Sequence, residues 1–208
     1  MSAPHRPEQA PKNHFDVINL LMDGLVRALE LGVEQEHRAT HDSLTGLPNR
    51  AGLEQLLNAN QSPQALLYID STNQKAVNDK LGHDRGDEVI IETARAIQAS
   101  LRPDDIAARI GGDEFLVLLN PQRREANDHN QPAPPEEILK AVTGRMGQKF
   151  QDFLIENPDL TSEGVGLDLA IGEAIWQEGM SIDDLRLSAE GAMYKVKEGQ
   201  HAASGSYR

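Results

Sequence analysis

The tetrapeptide Gly111-Gly112-Asp113-Glu114 constrains this chain more than any other feature, because it separates two short apolar segments, 106–110 and 115–119, that read as strands. Adjacent glycines permit positive φ, so the two segments are predicted to meet in a tight hairpin with two acids at its tip. A second apolar run, Ala65-Leu66-Leu67-Tyr68-Ile69, ends at Asp70 and reads as a buried central strand with a carboxylate at its C-terminal end. If these strands are neighbours in one sheet, Asp70, Asp113 and Glu114 converge at one edge, where oxygen ligands can hold hard cations. The alternative is that the acids sit at a hairpin tip simply because tips are solvated.

The remaining pattern surrounds this sheet with helices. Phe15, Ile18, Met22, Leu25 and Leu29 recur at steps of three and four, a seam about two heptads long. It fits either a pairing helix over 14–40 or a helix packed on its own domain. A turn-rich segment, 44–50, leads into a helix carrying Leu53, Leu56 and Leu57. Asp87 reads as the opening of a helix with Ile90, Ala94, Ile97 and Leu101 on one face and Pro103 as its stop. Residues 120–135 hold four prolines and read as a mobile loop. Helices over 136–156 and 182–196 flank a strand over 165–175. The order βααββαβ predicts an α+β fold of ferredoxin-like or palm type, with an antiparallel or mixed sheet and helices against one face. The expected organisation is a disordered start (1–13), the N-terminal helix (14–40), one domain (41–201) and a flexible tail (202–208).

Charge narrows the choice of partner. The 33 acidic against 20 basic side chains give a net charge of −13, which repels nucleic-acid backbones and anionic membranes, so a polyphosphate ligand needs a metal ion or a local basic clamp. The absence of cysteine excludes thiolate metal sites and cysteine nucleophiles, and the seven histidines lack metal-ligand spacing. With no signal-peptide pattern and no apolar run of about 18 residues, the chain is expected to be cytoplasmic, with no membrane contact.

Five ordered blocks together resemble the GGDEF family of diguanylate cyclases. They are residues 42–50, Asp70 with Lys75, Asn78 and Asp79, residues 82–87, residues 109–115 and residues 189–194. The resemblance spans roughly His37 to His201. It implies condensation of two GTP molecules into the bacterial second messenger cyclic di-GMP with release of pyrophosphate, in a dimer. Magnesium, with manganese as an alternative, would be held by Asp70, the Ser71 carbonyl, Asp113 and Glu114. Either Asp113 or Glu114 would activate the ribose 3′-hydroxyl. Asn78 and Asp87 match the guanine readers; a carboxylate takes two parallel N–H bonds from the guanine edge, which adenine lacks. Helix-capping and turn roles are their alternatives. Lys75 and Lys197 match phosphate contacts. Arg102 and Asp105 match an inhibitory product site, with Arg109 assisting; the plainer role for Arg102 is to favour a helix C-terminus. Pairing would run through the N-terminal helix, a product-bridged site, or both.

Two departures from the family pattern stand out. Gln74 replaces a phenylalanine, removing apolar packing that would hold the phosphate-binding loop. The segment Lys197-Glu198-Gly199-Gln200-His201 is one residue shorter than the usual Lys-x-x-Gly-Arg-Asn and lacks its arginine, a charged hydrogen bond worth roughly 1.5–3 kcal/mol. Weaker GTP binding or slow turnover is therefore expected. These departures favour a second reading, a catalytically degenerate module that binds GTP or cyclic di-GMP and signals through a protein partner. A third is an α+β interaction domain without nucleotide.

Overall fold

In a computed structural model of the chain, the described residues are 14–59, 64–120, 133–162 and 165–204. The expected disordered start, most of the proline-rich loop and residues 205–208 of the expected tail lie outside them. The chain divides into two compact units, Met1–Ala39 and Thr40–Arg208. In the first, α1 (His14–Thr40) carries His37 and Arg38 in its last turn, where the helix dipole favours positive charge. Ile18, Met22, Leu25 and Leu29 of its apolar seam are all exposed.

The second unit contains α2 (Arg50–Ala59), β1 (Ala65–Thr72), α3 (Gln74–Leu81), α4 (His83–Gln98), β2 (Ile106–Arg109), β3 (Glu114–Leu119), α5 (Pro135–Glu156), a 3-10 turn (Pro158–Thr161), β4 (Asp168–Ile175) and α6 (Ile182–Ser204). The four strands lie in the order β2-β3-β1-β4, and every neighbouring pair is antiparallel. This is the predicted βααββαβ arrangement. All eight residues of β1 are buried, as a central strand with helices on both sides must be.

The expectation of helices against one face is corrected. On one face Leu67, Ile69, Phe115, Val117 and Leu119 pack against α4 and α5, through residues such as Ile97, Val142 and Phe150. On the other, Leu66, Tyr68, Leu116 and Leu118 pack against Leu53 of α2 and Leu185, Ala189 and Met193 of α6. The cause is legible in β1 and β3 themselves: their continuous apolar runs present hydrophobic side chains to both faces, and each face needs cover.

Three local features position the site. Asn73, in the left-handed region at φ 62°, turns the chain from β1 into α3, a conformation asparagine tolerates better than most residues. Gly82 alone, at φ 90°, separates α3 from α4. At Gly172 a Cβ would fall 2.0 Å from the Ala189 carbonyl oxygen and 2.2 Å from the Met193 nitrogen, so α6 packs backbone to backbone on β4. Helix α6 runs to Ser204, beyond the expected end of the domain at His201.

Candidate active site

Register brings the acids together. In the β1–β3 pair Asp70 stands directly opposite Glu114, and the Ser71 N–H donates to the Asp113 carbonyl at 3.4 Å. The turn between β2 and β3 closes with the Ile110 N–H donating to the Glu114 carbonyl at 2.9 Å. Neither Gly111 nor Gly112 has positive φ, which corrects the predicted reason for the glycines. Close approach is what distinguishes Gly111 instead: a Cβ there would fall 2.3 Å from Glu114 Oε2, so the Glu114 carboxylate would have to move.

Arg109 fastens the hairpin. Its Nη1 donates to Asp42 Oδ1 at 2.8 Å, and its Nε and Nη2 donate to the Gly112 carbonyl at 3.1 and 2.6 Å. Asp42 also accepts from the Thr45 N–H and hydroxyl. Burial opposes the Asp42 charge, but the Arg109 and Thr45 bonds prevail and hold its pKa below the ordinary carboxylate value.

Each carboxylate of the strand pair has its own protein donor. Asp70 is only 5% exposed, and Lys197 Nζ donates to its Oδ1 at 2.7 Å. Burial pushes the Asp70 carboxyl above its ordinary range; the Lys197 bond pulls against this, and the Asp113 and Glu114 charges add to the rise. Tyr68, two residues earlier on the same face of β1, donates its hydroxyl to Glu114 Oε1 at 3.0 Å. Its phenol is raised above the usual range by burial and then by the Glu114 carboxylate.

Among the described residues no group of three His, Cys, Asp or Glu side chains is gathered to hold a metal. Hard carboxylate oxygens on Asp70 and Glu114, with adjoining backbone carbonyls, nevertheless suit magnesium in kind, since that ion keeps several waters and takes one or two carboxylates plus substrate phosphates. The donor set fits such a cation.

The other predicted site residues fall in three places. Asn78 approaches α4 across the α3–α4 junction: a Cβ on Gly86 would lie 1.8 Å from Asn78 Oδ1, and Asp87 is the next residue in the chain. Because α4 starts at His83, Asp87 is not the helix opening it was predicted to be; it stands exposed in the second turn. Lys75 is exposed in the first turn of α3. Arg102 and Asp105 form a turn in which Asp105 Oδ2 accepts from the Arg102 N–H at 3.0 Å and Oδ1 from the Asn120 N–H at 3.1 Å. Gln200, at the shortened C-terminal motif, donates to Asp168 Oδ2 and the Leu169 carbonyl, each at 3.0 Å.

Sequence reasoning missed Tyr68, Asp42 and the part played by Gln74, whose Nε2 donates to the Gly86 carbonyl at 2.8 Å. Only the alternation of β1 could have flagged Tyr68, by placing it on the face of Asp70.

A family model described as "Diguanylate cyclase, GGDEF domain" matches residues 39–202. The diguanylate cyclase TpbB of Pseudomonas aeruginosa is 44% identical over 114 residues, covering 50% of this chain and 26% of that protein, so the chain spans about a quarter of this relative's length. The structure of the GGDEF domain of TpbB superposes with a TM-score of 0.58 at 33% identity, covering 76% of this chain and 89% of that one. The GGDEF domain of DgcB from Caulobacter crescentus, solved in complex with c-di-GMP, gives a TM-score of 0.56 at 25% identity, covering 77% of this chain and 91% of that one. The chain therefore belongs to the GGDEF family of diguanylate cyclases.

Proposed function

We propose that this chain joins two GTP molecules into cyclic di-GMP at the β1–β3 edge, using a divalent cation. The observation that carries the reading is the register pairing of Asp70 with Glu114, which sets two carboxylates side by side next to Asp113. The bound cation would offset charge on the phosphates as pyrophosphate departs. Asp70 and Glu114, with the Ser71 carbonyl, are its ligands in this reading.

The chain's own groups supply the remaining steps. Asn78 and Asp87 face a guanine edge from two helices and fix the nucleotide's position. Asp113 takes the proton from the ribose 3′-hydroxyl, because Glu114 already accepts from Tyr68 while the Asp113 carboxylate has no hydrogen bond among the described residues. The 3′-oxygen then bonds to the α-phosphorus of the second GTP, the bond from that phosphorus to the bridging oxygen breaks, and pyrophosphate leaves. Repetition with the roles exchanged closes the ring. Lys197 and Lys75 are phosphate contacts, and Lys197 moves from Asp70 to serve as one.

Each module holds one GTP, so the product needs two modules face to face. The exposed seam of α1 is the pairing surface, burying its apolar side chains against a second copy. The Arg102–Asp105 turn is the product-binding site that restrains turnover. Among the described residues no helix is long and apolar enough to cross a membrane.

One observation favours the degenerate, ligand-binding reading: Gln200 is turned onto Asp168 and Leu169 and supplies no cation for phosphate. Asp113→Ala separates the two. The variant should bind GTP and release no pyrophosphate, whereas wild type releases it; a wild type as inert as the variant supports the degenerate module.

A further inference from the structure

The amide of Gln74 has a partner that its phenylalanine counterpart in the family pattern could not have. Gln74 is 7% exposed, and its Nε2 donates to the Gly86 carbonyl at 2.8 Å, joining the first turn of α3 to the first turn of α4. Asn78 lies one turn further along α3, on the same face. Both amides converge on Gly86: a Cβ there would meet Asn78 Oδ1 at 1.8 Å and Gln74 Nε2 at 3.1 Å. Gly86 is buried, and the exposed Asp87 follows it.

The other half of the amide argues against a role in stability. Gln74 Oε1 is buried and has no hydrogen-bond partner among the described residues. A buried acceptor left unpaired costs stability, and an apolar side chain of similar size would avoid that cost. The Gly86 carbonyl lies inside α4 and already serves the helix ladder, so it does not need the amide to be satisfied. The bond does have a directional effect. It fixes the rotation of α4's first turn relative to α3, with Gly82 alone as the connecting residue, and thereby the separation of Asn78 from Asp87.

We propose that Gln74 is a positioning residue for guanine recognition, holding Asn78 and Asp87 at the spacing of one purine edge through its bond to Gly86. This rests on the reading of Asn78 and Asp87 as guanine readers. It predicts a trade: removing the amide leaves the fold as stable or more stable and loosens the base site, while phosphate binding is untouched.

The test is calorimetry with magnesium on wild type, Gln74→Met and Gln74→Leu, using GTP, ITP and inorganic triphosphate as probes, with thermal melts of each protein. Both variants should lose about fivefold or more in GTP affinity and discriminate less between GTP and ITP, which lacks the 2-amino group. Their triphosphate affinity should match wild type, and their melting temperatures should not fall. Wild-type GTP affinity in the variants overturns the inference, as does a parallel loss of GTP and triphosphate binding with a lower melting temperature, the mark of a merely structural residue. A wild type that binds triphosphate yet shows no preference for GTP over ITP removes the guanine reading itself, and this inference with it.

Discussion

Lys197 meets a carboxylate, Asp70, that is buried beside two further acids. Lys197→Met should destabilise the fold by about 1–3 kcal/mol at neutral pH, the cost of leaving a buried charge without its bond. The sign of the pH dependence follows from the raised Asp70 pKa. A higher folded than unfolded pKa favours the protonated folded form, so the variant's deficit should shrink as pH falls into the carboxylate range. Thermal melts of both proteins between neutral and mildly acidic pH check this. Asp42 behaves oppositely. Its folded pKa lies below 3.8, so its contribution is complete above about pH 4 and is lost as pH falls through the folded value. Asp42→Asn should lower stability at neutral pH and flatten the acid limb of a stability profile. Neither side chain announced its partner in the sequence: Asp42 and Arg109 are 67 positions apart, and Lys197 and Asp70 are 127. Such pairs exist only after β2 has met the 42–45 turn and α6 has packed on β1. The Gly-Gly tip was legible as a turn, but neither glycine has positive φ, and only Gly111 lies close to the Glu114 carboxylate.

At the scale of the element, the apolar seam of α1 is exposed, with Leu25 and Leu29 at 55% and 60%. Replacing both with glutamate should leave the melting of the second unit unchanged while shifting sedimentation at micromolar concentration to the monomer and lowering product formation most in dilute protein. Unaltered sedimentation would remove α1 from the pairing. The strands were legible because β1 and β3 are unbroken apolar runs bounded by polar residues, and α6 because its period holds through Met193. The start of α4 was not. Asp87 resembles a helix opener in sequence, yet the turn that starts the helix is the positive-φ Gly82, whose conformation no local pattern prescribes. That displacement takes Asp87 out of a capping position and leaves it exposed in the second turn of α4. Helix periodicity also gives each helix one apolar face without saying which side of the sheet receives it, so the two-sided cover emerged only from the packing.

At the scale of the whole molecule the parts form a hierarchy. Register between β1 and β3 places the acids, Arg109 and the 42–45 turn hold the hairpin that presents them, Gly172 lets α6 approach closely enough to bring Lys197 to Asp70, and the α3–α4 junction carries Asn78 and Asp87, the pair proposed to read a base. A metal-assisted nucleotidyl transfer uses all four, and an interaction domain uses none of them. The direct test is to incubate the purified chain with GTP and magnesium and identify the nucleotide product by mass, with ATP in parallel. The account predicts cyclic di-GMP with two pyrophosphates released per product, and no cyclic product from ATP. GTP recovered unchanged from a protein that demonstrably binds it would contradict the account.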